Sequence, residues 1–325
     1  MSIAGPTQLM ISLMASVAAS LVLVRLSMIL GERLGLKGKD VHKPYEVYVP
    51  KIGGLGMATA YTAAVLVFAP DLPSDRLLAL TSVPALSAAI GLFEDFRELN
   101  PYVKPVLLAV PGVVVVLLGA YDPHPVLPIV GRVRLTILYP LILVAAYSVV
   151  ANAVNSVDVV NGSLALFAVS MSCSFLAALA LRGPQDLQVV AAALLGASLG
   201  FLYYNWYPAR TFSGNVGSNL VASAFLTLAV TAGLEVFLLV ALLPAILNEA
   251  FIIASMGGLK SGKNVVKRPI LVLGGVIRDN PDVSAPLTLV RMLAAGGDLD
   301  ERRASLGIGA VTAFSCALAL ITLHL

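Results

Sequence analysis

Ten apolar segments of roughly membrane-spanning length follow one another along the chain. A helix needs about 20 mainly apolar residues to cross the hydrocarbon core of a bilayer. Hydrophobic residues make up 58% of the 325 residues and charged residues 12%, whereas a soluble domain carries roughly 25% charge. This excludes a soluble globular enzyme and a disordered chain. We predict an all-α polytopic membrane protein of about ten transmembrane helices, with residues 1–325 forming a single domain. The segments lie near 8–31, 52–70, 77–94, 104–120, 134–153, 162–181, 187–204, 217–233, 235–256 and 305–324.

The basic residues predict the orientation of these helices, because cytoplasmic loops of membrane proteins are enriched in Lys and Arg. Sixteen of the 21 Lys and Arg residues fall in loops after odd-numbered helices, and four in loops after even-numbered helices. We therefore expect the odd-numbered loops in the cytoplasm and both termini outside. The longest loop, residues 257–304, is then cytoplasmic. Most acidic residues lie on the same face, which favours a polar site there.

The first polar cluster on this face runs from Asp40 to Lys43 and continues through Lys51 to Gly53 and Gly54. Glycines at the start of a helix let backbone N–H groups approach an anion. A basic loop that merely follows the charge bias explains the same residues, and on the sequence alone it is the better explanation.

The second cluster is the adjacent acidic pair Glu94 and Asp95, followed by Lys104. Carboxylates at the end of a span are costly unless they pair or bind a cation. Mg²⁺ prefers a few carboxylates together with phosphate and water oxygens. Two solvated acids at a helix end explain the pair equally well. Lys104, at the next helix start, either meets a phosphate or is a solvated flanking charge.

The third cluster places polar side chains at every third position, at Asn152, Asn155, Asp158 and Asn161. Four amides or acids at a membrane end are hard to explain by packing in a chain this apolar, so we favour a functional site.

The fourth cluster joins an aromatic segment, Asn205-Trp-Tyr-Pro-Ala-Arg210, to a glycine-rich turn, Gly214-Asn215-Val-Gly-Ser218. The aromatic residues are also typical of the belt at the headgroup level. A belt does not require the glycine-rich turn, which therefore favours a ligand contact.

Together these motifs resemble the polyprenyl-phosphate sugar-1-phosphate transferases. Within that superfamily they are most similar to the eukaryotic and archaeal UDP-GlcNAc–dolichyl-phosphate GlcNAc-1-phosphate transferases. The matching elements are Gly38-Lys-Asp40-x-x-Lys43, Glu94-Asp95 with Lys104, Asn152-Ala-Val-Asn155 with Asn161-Gly162, Asn205-Trp-Tyr-Pro208-Ala-Arg210, and Pro244-x-x-x-Asn248. The resemblance implies ten helices with both termini outside, as the charge bias also predicts.

The resemblance implies a role for each matching residue. It assigns catalysis to Asp95, with Glu94 beside it, and metal or pyrophosphate contacts to Asn155 and Asn215. The residues implied for the nucleotide-sugar are Asn161, Gly162, Asp158, Lys104, Lys267 and Arg268. The residues implied for the lipid phosphate are Lys43 and Arg210.

The implied reaction is transfer of GlcNAc-1-phosphate from UDP-GlcNAc to dolichyl or another polyprenyl phosphate, with release of UMP. It is the first step of N-glycan lipid assembly. The implied cofactor is Mg²⁺, with Mn²⁺ as a substitute. The expected partners are a UDP-sugar, a polyprenyl phosphate and the lipid bilayer, without nucleic acid; monomer and homodimer both stay open. The active face is expected in the cytoplasm, at the plasma membrane of an archaeon or the endoplasmic reticulum of a eukaryote.

Two positions depart from the family pattern. Glu94 stands where an Asp is usual, and Asn215 replaces an Asp that binds Mg²⁺; an amide brings no charge, so metal affinity should fall. The histidine-rich motif of the bacterial branches has no counterpart, since no His lies between His124 and His324.

Two alternatives therefore stay open. One is a non-catalytic or weakly active homologue that binds nucleotide-sugar or lipid phosphate. The other is a secondary transporter, which the lack of an apparent internal repeat disfavours.

Overall fold

The computed structural model describes residues 5–97, 99–258 and 267–324. Glu98, Lys260 and Lys263, which contribute to the charge bias, lie outside these ranges. The helices are α1 (Pro6–Arg33), α2 (Gly53–Phe68), α3 (Ser74–Phe96), α4 (Val103–Leu118), α5 (Leu138–Val157), α6 (Ser163–Leu181), α7 (Gln188–Asn205), α8 (Gly214–Ala232), α9 (Glu235–Ala241), α10 (Leu243–Met256), α11 (Leu289–Ala294) and α12 (Glu301–Thr322). Three antiparallel hairpins join them: β1 (Lys37–Lys39) with β2 (Tyr48–Pro50), β3 (Val126–Leu127) with β4 (Gly131–Arg132), and β5 (Ile270–Leu273) with β6 (Val276–Asp279).

The predicted all-α membrane fold is confirmed by the described residues. Seven helices are long and apolar enough to cross a membrane, and α9 with α10 make an eighth if they are counted as one span. The apolar helices α2 and α4 have 16 residues each, about 24 Å, and are shorter than a bilayer core. The placement of the termini outside stays a prediction.

The predicted ninth helix, 235–256, is wrong as a single element. It divides at Leu242 into α9 and α10, which are bent by 60°. Pro244 explains the break, because proline lacks an N–H and clashes inside a helix but fits the first turn of a new one.

Helix α8 lies at the centre of the bundle and is almost completely buried. It packs on α3, α5 and α2. Two glycines allow the closest approach: a Cβ on Gly54 would overlap the backbone of Gly217. The start of α8 is therefore fixed against neighbouring elements, which matters for the site below.

Helix α1 packs along α7 through a stripe of serines. Each hydroxyl donates to a backbone carbonyl of α7, one turn apart on both helices: Ser12 to Val189 at 3.3 Å, Ser16 to Ala193 at 2.6 Å and Ser20 to Ala197 at 2.7 Å. Small residues let the two backbones approach, as is usual between helices in membranes. All three serines are buried.

Candidate active site

A cavity of about 350 Å³ opens at the end of the bundle that the charge bias assigns to the cytoplasm. Its walls come from the hairpin after α1, the ends of α3 and α5, the loop after α5 and the start of α8. The lining residues are Gly38, Lys39, Asp40, Val41, His42, Lys51, Asp95, Asn155, Asp158, Val159, Val160, Asn161, Asn205, Phe212, Ser213, Gly214 and Asn215. Polar residues from the first, third and fourth sequence clusters make up most of this wall. The second cluster contributes only Asp95.

Asp95, in the last turn of α3, caps the start of α8 from outside that helix. Its Oδ1 accepts the backbone N–H of Asn215 at 3.1 Å, and its Oδ2 accepts that of Val216 at 3.2 Å. The first N–H groups of a helix lack partners within it and carry the positive end of its dipole. Ser213, which precedes α8, makes no side-chain cap. The carboxylate of Asp95 is thus held by groups that favour its charged form.

Two glycines make this capping contact geometrically feasible. A Cβ on Gly91, one turn before Asp95, would overlap the carbonyl of Asn215. Gly214 has φ of +66°, and a Cβ there would overlap both the Asp95 carboxylate and the carbonyl of Lys51. Since only glycine tolerates that backbone without strain, Gly214 is required by the turn and by the close approach.

Asn215 lies between Asp95 and Asn155. Its Nδ2 donates to Asp95 Oδ1 at 3.2 Å, and its Oδ1 accepts from Asn155 Nδ2 at 2.8 Å. Asn155 Nδ2 also donates to the hydroxyl of Ser218 at 2.9 Å. Both residues predicted to contact the metal are therefore in the cavity, linked to each other and to the predicted catalytic acid.

Asp158 follows α5 and accepts a hydrogen bond from the Ser213 hydroxyl. Burial raises the pKa of this carboxyl to about 6; the Ser213 hydrogen bond lowers it, and the negative charge of Asp95 raises it further. The group is poised near neutral pH, and its environment is already negative.

Asn161 and Gly162 are placed by residues that are distant in sequence. The Asn161 N–H donates to Glu301 Oε1 at 2.9 Å and its Nδ2 to Asp40 Oδ2 at 3.0 Å. The Gly162 N–H donates to Asn205 Oδ1 at 3.1 Å. Gly162 does not line the cavity directly, but it fixes the turn that presents Asn161.

Lys43 is buried beneath this turn and does not line the cavity. Its ammonium pairs with Glu301 and, at 3.2 Å, with Asp40, and it lies 3.9 Å from the ring centre of Tyr207. Asp40, His42 and Glu301 form the one group of metal-ligand type in the described ranges. The ammonium of Lys43 balances the negative charges of Asp40 and Glu301 in this group.

Glu94 and Lys104 form a separate ion pair outside the cavity wall. Their Oε1 and Nζ atoms are 2.9 Å apart, and the Glu94 side chain is 9% exposed. Its Oε2 is buried with no hydrogen-bond partner among the described residues. The two adjacent acids thus face different surroundings, and Asp95 alone points into the cavity.

The remaining predicted residues also lie away from the cavity wall. Lys267 pairs with Asp282, and the carbonyl of Arg268 accepts from Asn280 at 2.7 Å. Lys39 does line the cavity, and its hydrogen bond with Glu46 raises the pKa of its ammonium.

Arg210 faces a different surface. Its guanidinium stacks 4.4 Å from the ring centre of Tyr203 and 4.7 Å from that of Tyr204. It borders an open, mainly apolar groove of about 730 Å³ between α6 and α7.

Several residues of the site had no predicted role, among them Lys51, Ser213 and Glu301. Lys51 belongs to the first cluster, where the basic-loop explanation concealed it. Glu301 is 2% exposed and joins Lys43 to Asn161. Its only sequence signal is an acid in the first turn of a helix, which is common.

The donor chemistry of the cavity suits a hard divalent cation. Asp95, Asp158 and the amide side chains supply oxygen atoms, the ligands that Mg²⁺ prefers. Asn155 uses its nitrogen for both of its hydrogen bonds, and its Oδ1 accepts none from the described residues. Lys51 adds a positive charge for an anionic substrate.

An oxygen-lined cavity in a membrane-embedded helical bundle defines a class of site, and comparison shows which known proteins the chain is similar to. The chain matches glycosyl transferase family 4 over residues 77–233, from α3 to the end of α8. This match and the relatives below are consistent with the polyprenyl-phosphate sugar-1-phosphate transferase superfamily.

Its relatives come from both the archaeal and the bacterial branches. A provisionally named UDP-N-acetylglucosamine–dolichyl-phosphate N-acetylglucosaminephosphotransferase of Sulfolobus acidocaldarius is 24% identical over 74% of this chain and 76% of the relative. Its namesake in Saccharolobus solfataricus is 26% identical over 57% of this chain and 59% of the relative. The phospho-N-acetylmuramoyl-pentapeptide-transferase of Symbiobacterium thermophilum is 33% identical over 59% of this chain and 62% of the relative. The comparisons therefore support the superfamily and not one branch.

Proposed function

We propose that the protein transfers GlcNAc-1-phosphate from UDP-GlcNAc to dolichyl or another polyprenyl phosphate. An oxygen of the lipid phosphate attacks the phosphorus that carries the sugar. The bond between this phosphorus and the oxygen that bridges the two phosphates of UDP then breaks, and UMP leaves with the bridging oxygen. The observation that carries the proposal is the convergence of Asp95, Asn155, Asp158 and Asn161 on one cavity. The archaeal relatives support GlcNAc and dolichyl phosphate by their names alone.

The residues of this cavity have distinct parts in the proposal. Asp95, fixed by the N–H groups of α8, holds a charged carboxylate at the reacting phosphates. Lys51 and the amides of Asn155 and Asn161 bind and orient the nucleotide-sugar, since positioning and charge stabilisation account for most of the rate in phosphoryl transfer. Mg²⁺, held through Asp95 and the Asn155 amide oxygen, would neutralise charge on the pyrophosphate.

The predicted residues that do not line the cavity have supporting parts in the proposal. Lys104, Lys267 and Arg268 lie away from the cavity wall and are candidates for contacts with a part of the nucleotide that extends beyond it. Lys43 supports the Asn161 turn rather than offering a free charge. Arg210 borders the apolar groove and is a candidate for a lipid headgroup at that surface.

The test is UMP release by the purified protein in lipid nanodiscs. UDP-GlcNAc and dolichyl phosphate should yield UMP with Mg²⁺ or Mn²⁺ and none with EDTA. Panels of other UDP-sugars and shorter polyprenyl phosphates would define the substrates. No UMP with any sugar, lipid or metal would overturn the catalytic proposal.

Asp95→Asn should lower UMP release by about 10²–10⁴-fold, the range for loss of a positioned acid or base. Because Asp95 also caps α8, the melting temperature of the variant must be measured together with its rate of UMP release. A variant that melts like the wild type and retains its full rate would remove Asp95 from the mechanism.

One observation favours a second candidate, a homologue that binds the substrates without turnover. Asn215 brings no charge where the superfamily usually has an Asp. Saturable binding of UDP-GlcNAc by calorimetry, without UMP release under any condition, would support this candidate.

A further inference from the structure

We propose that Asn215 is a brace that assembles the site without a cation, holding Asp95 and Asn155 in place before any metal binds. The residue would then act as a positioning residue and not as a metal ligand. The brace itself rests on geometry alone. Only its consequence for catalysis, that Mg²⁺ serves the pyrophosphate and not the assembly of the site, rests on the proposed function.

The hydrogen bonds determine which way the Asn215 amide faces. A carboxylate can only accept, so the group that faces Asp95 Oδ1 at 3.2 Å must be the Asn215 NH₂. This directs Asn215 Oδ1 to the amide of Asn155, which donates at 2.8 Å. With its nitrogen on Asp95 and its oxygen on Asn155, Asn215 uses both ends of its amide inside the protein.

An Asp at this position would require a different balance of charge. Its carboxylate would face Asp95 across the same short distance, without a donor between them. Asp158, which lines the same cavity, places a further carboxyl group on this wall. Such a cluster of acids holds together only when a cation lies between them. Asn215 replaces the second charge by a donor, and the need for that cation disappears.

The backbone reinforces the brace. The N–H of Asn215 donates to the same Asp95 Oδ1 at 3.1 Å, so that main chain and side chain grip one oxygen. The same nitrogen of Asn155 also donates to the hydroxyl of Ser218, one turn further along α8. Three helices, α3, α5 and α8, are thereby tied together at the cavity by hydrogen bonds alone.

The experiment measures thermal unfolding in detergent, with EDTA or with Mg²⁺ and without any substrate. The wild type should melt at the same temperature in both. Asn215→Asp should melt roughly 5 °C lower in EDTA, because it brings two carboxylates together and loses a hydrogen bond, and Mg²⁺ should restore most of that loss.

A matched control makes the same chemical change on α5. Asn152 Nδ2 donates to the carbonyl of Ser148 within its own helix, at 2.9 Å. Asn152→Asp also loses a donor and gains a charge, but it has no carboxylate partner across the cavity. Its melting temperatures in EDTA and Mg²⁺ should coincide.

Two results would overturn the brace. The first is that Mg²⁺ raises the melting temperature of the wild type as much as it raises that of Asn215→Asp. A bound cation would then hold the native site together. The other is an Asn215→Asp protein that melts in EDTA like the wild type.

If Asn215→Asp does not fold in EDTA, it is expressed and purified with Mg²⁺ throughout. Recovery of folded protein only with Mg²⁺ would support the proposal, and equal failure with and without Mg²⁺ would contradict it. Since no substrate is present, these outcomes stand apart from UMP release: loss of the brace leaves the transferase proposal intact, and absence of turnover leaves the brace intact.

Discussion

The contact between α1 and α7 and the cavity at the end of the bundle both bury polar side chains among apolar helices, but they do so differently. In the α1–α7 contact, each serine donates to one carbonyl of the facing helix, and the pattern repeats with the helical turn. In the cavity, side chains from five segments bond to one another and leave oxygen atoms facing open volume. Polar groups that are satisfied pairwise hold a membrane fold together, whereas polar groups with spare capacity around a cavity indicate a ligand.

The sharpest test of this comparison is one substitution made in both regions. A Cβ on Gly91 would overlap the carbonyl of Asn215 at the cavity, and a Cβ on Gly196 would overlap the carbonyl of Leu13 in the α1–α7 contact. Gly91→Ala should lower UMP release by roughly 10²-fold or more, since displacements of about 1 Å at a reacting centre have such effects.

Gly196→Ala is the matched variant. It should lower the melting temperature by several degrees, because overpacking costs about 1–3 kcal/mol, while the rate per folded molecule stays within about twofold of the wild type. Equal loss of rate in both variants would mean that the two regions do not differ as described.

Glu301 tests whether the cavity depends on groups behind its wall. Glu301→Ala leaves the N–H of Asn161 and the ammonium of Lys43 without a shared partner. We expect KM for the UDP-sugar to rise by about 10–100-fold, by analogy with the loss of residues that orient metal ligands, with a smaller change in kcat.

Glu301→Gln separates the two contacts of this residue. Its amide oxygen can still accept from Asn161, so KM should be largely restored if that bond is the important one. A change in kcat alone, in either variant, would speak against a positioning role.

Asp158 predicts how stability depends on pH. Its pKa is raised to about 6, chiefly by burial, so the folded protein favours the protonated acid. The stability that this group contributes is complete below its ordinary pKa near 4 and is lost as pH rises through 6. Melting temperature should fall by roughly 2–5 °C between pH 5 and 7. In Asp158→Asn, which can still accept from Ser213, this part of the pH dependence should vanish.

The smallest effect is expected in the serine stripe. Ser16→Ala removes a hydrogen bond of 2.6 Å to Ala193, but that carbonyl keeps its place in α7. The loss should be about 0.5–1 kcal/mol in unfolding measurements, with UMP release unchanged. A large loss of activity would link the stripe to the site after all.

The sequence predicted the spans well because hydropathy acts locally: the apolar segments near 77–94 and 162–181 became α3 and α6 with small shifts. The prediction missed the break at Leu242, although Pro244 in the same segment is a residue that interrupts helices. It also treated 257–304 as a loop, although Leu273-Gly-Gly-Val276 is a strong hairpin signal and both glycines have positive φ. That hairpin is β5 with β6.

Within the site, the predictable residues were those in dense polar clusters, such as Asp95, Asn155 and Asn161. Their partners could not be predicted, because Glu301 reaches Asn161 across 140 positions. The burial of Lys43 was hidden for the same reason: a basic residue in a basic loop reads as exposed until its acidic partner is located in space.

The capping of α8 by Asp95 determines where this molecule can move. Opening the gap between α3 and α8 would strand two N–H groups in an apolar bundle, so these helices form one rigid wall on the timescale of turnover. Any movement of the cavity wall is then expected in the hairpin that carries Lys39, β1 with β2, rather than between α3 and α8. Amide hydrogen exchange should accordingly be slow at Val216 and faster in residues 37–50.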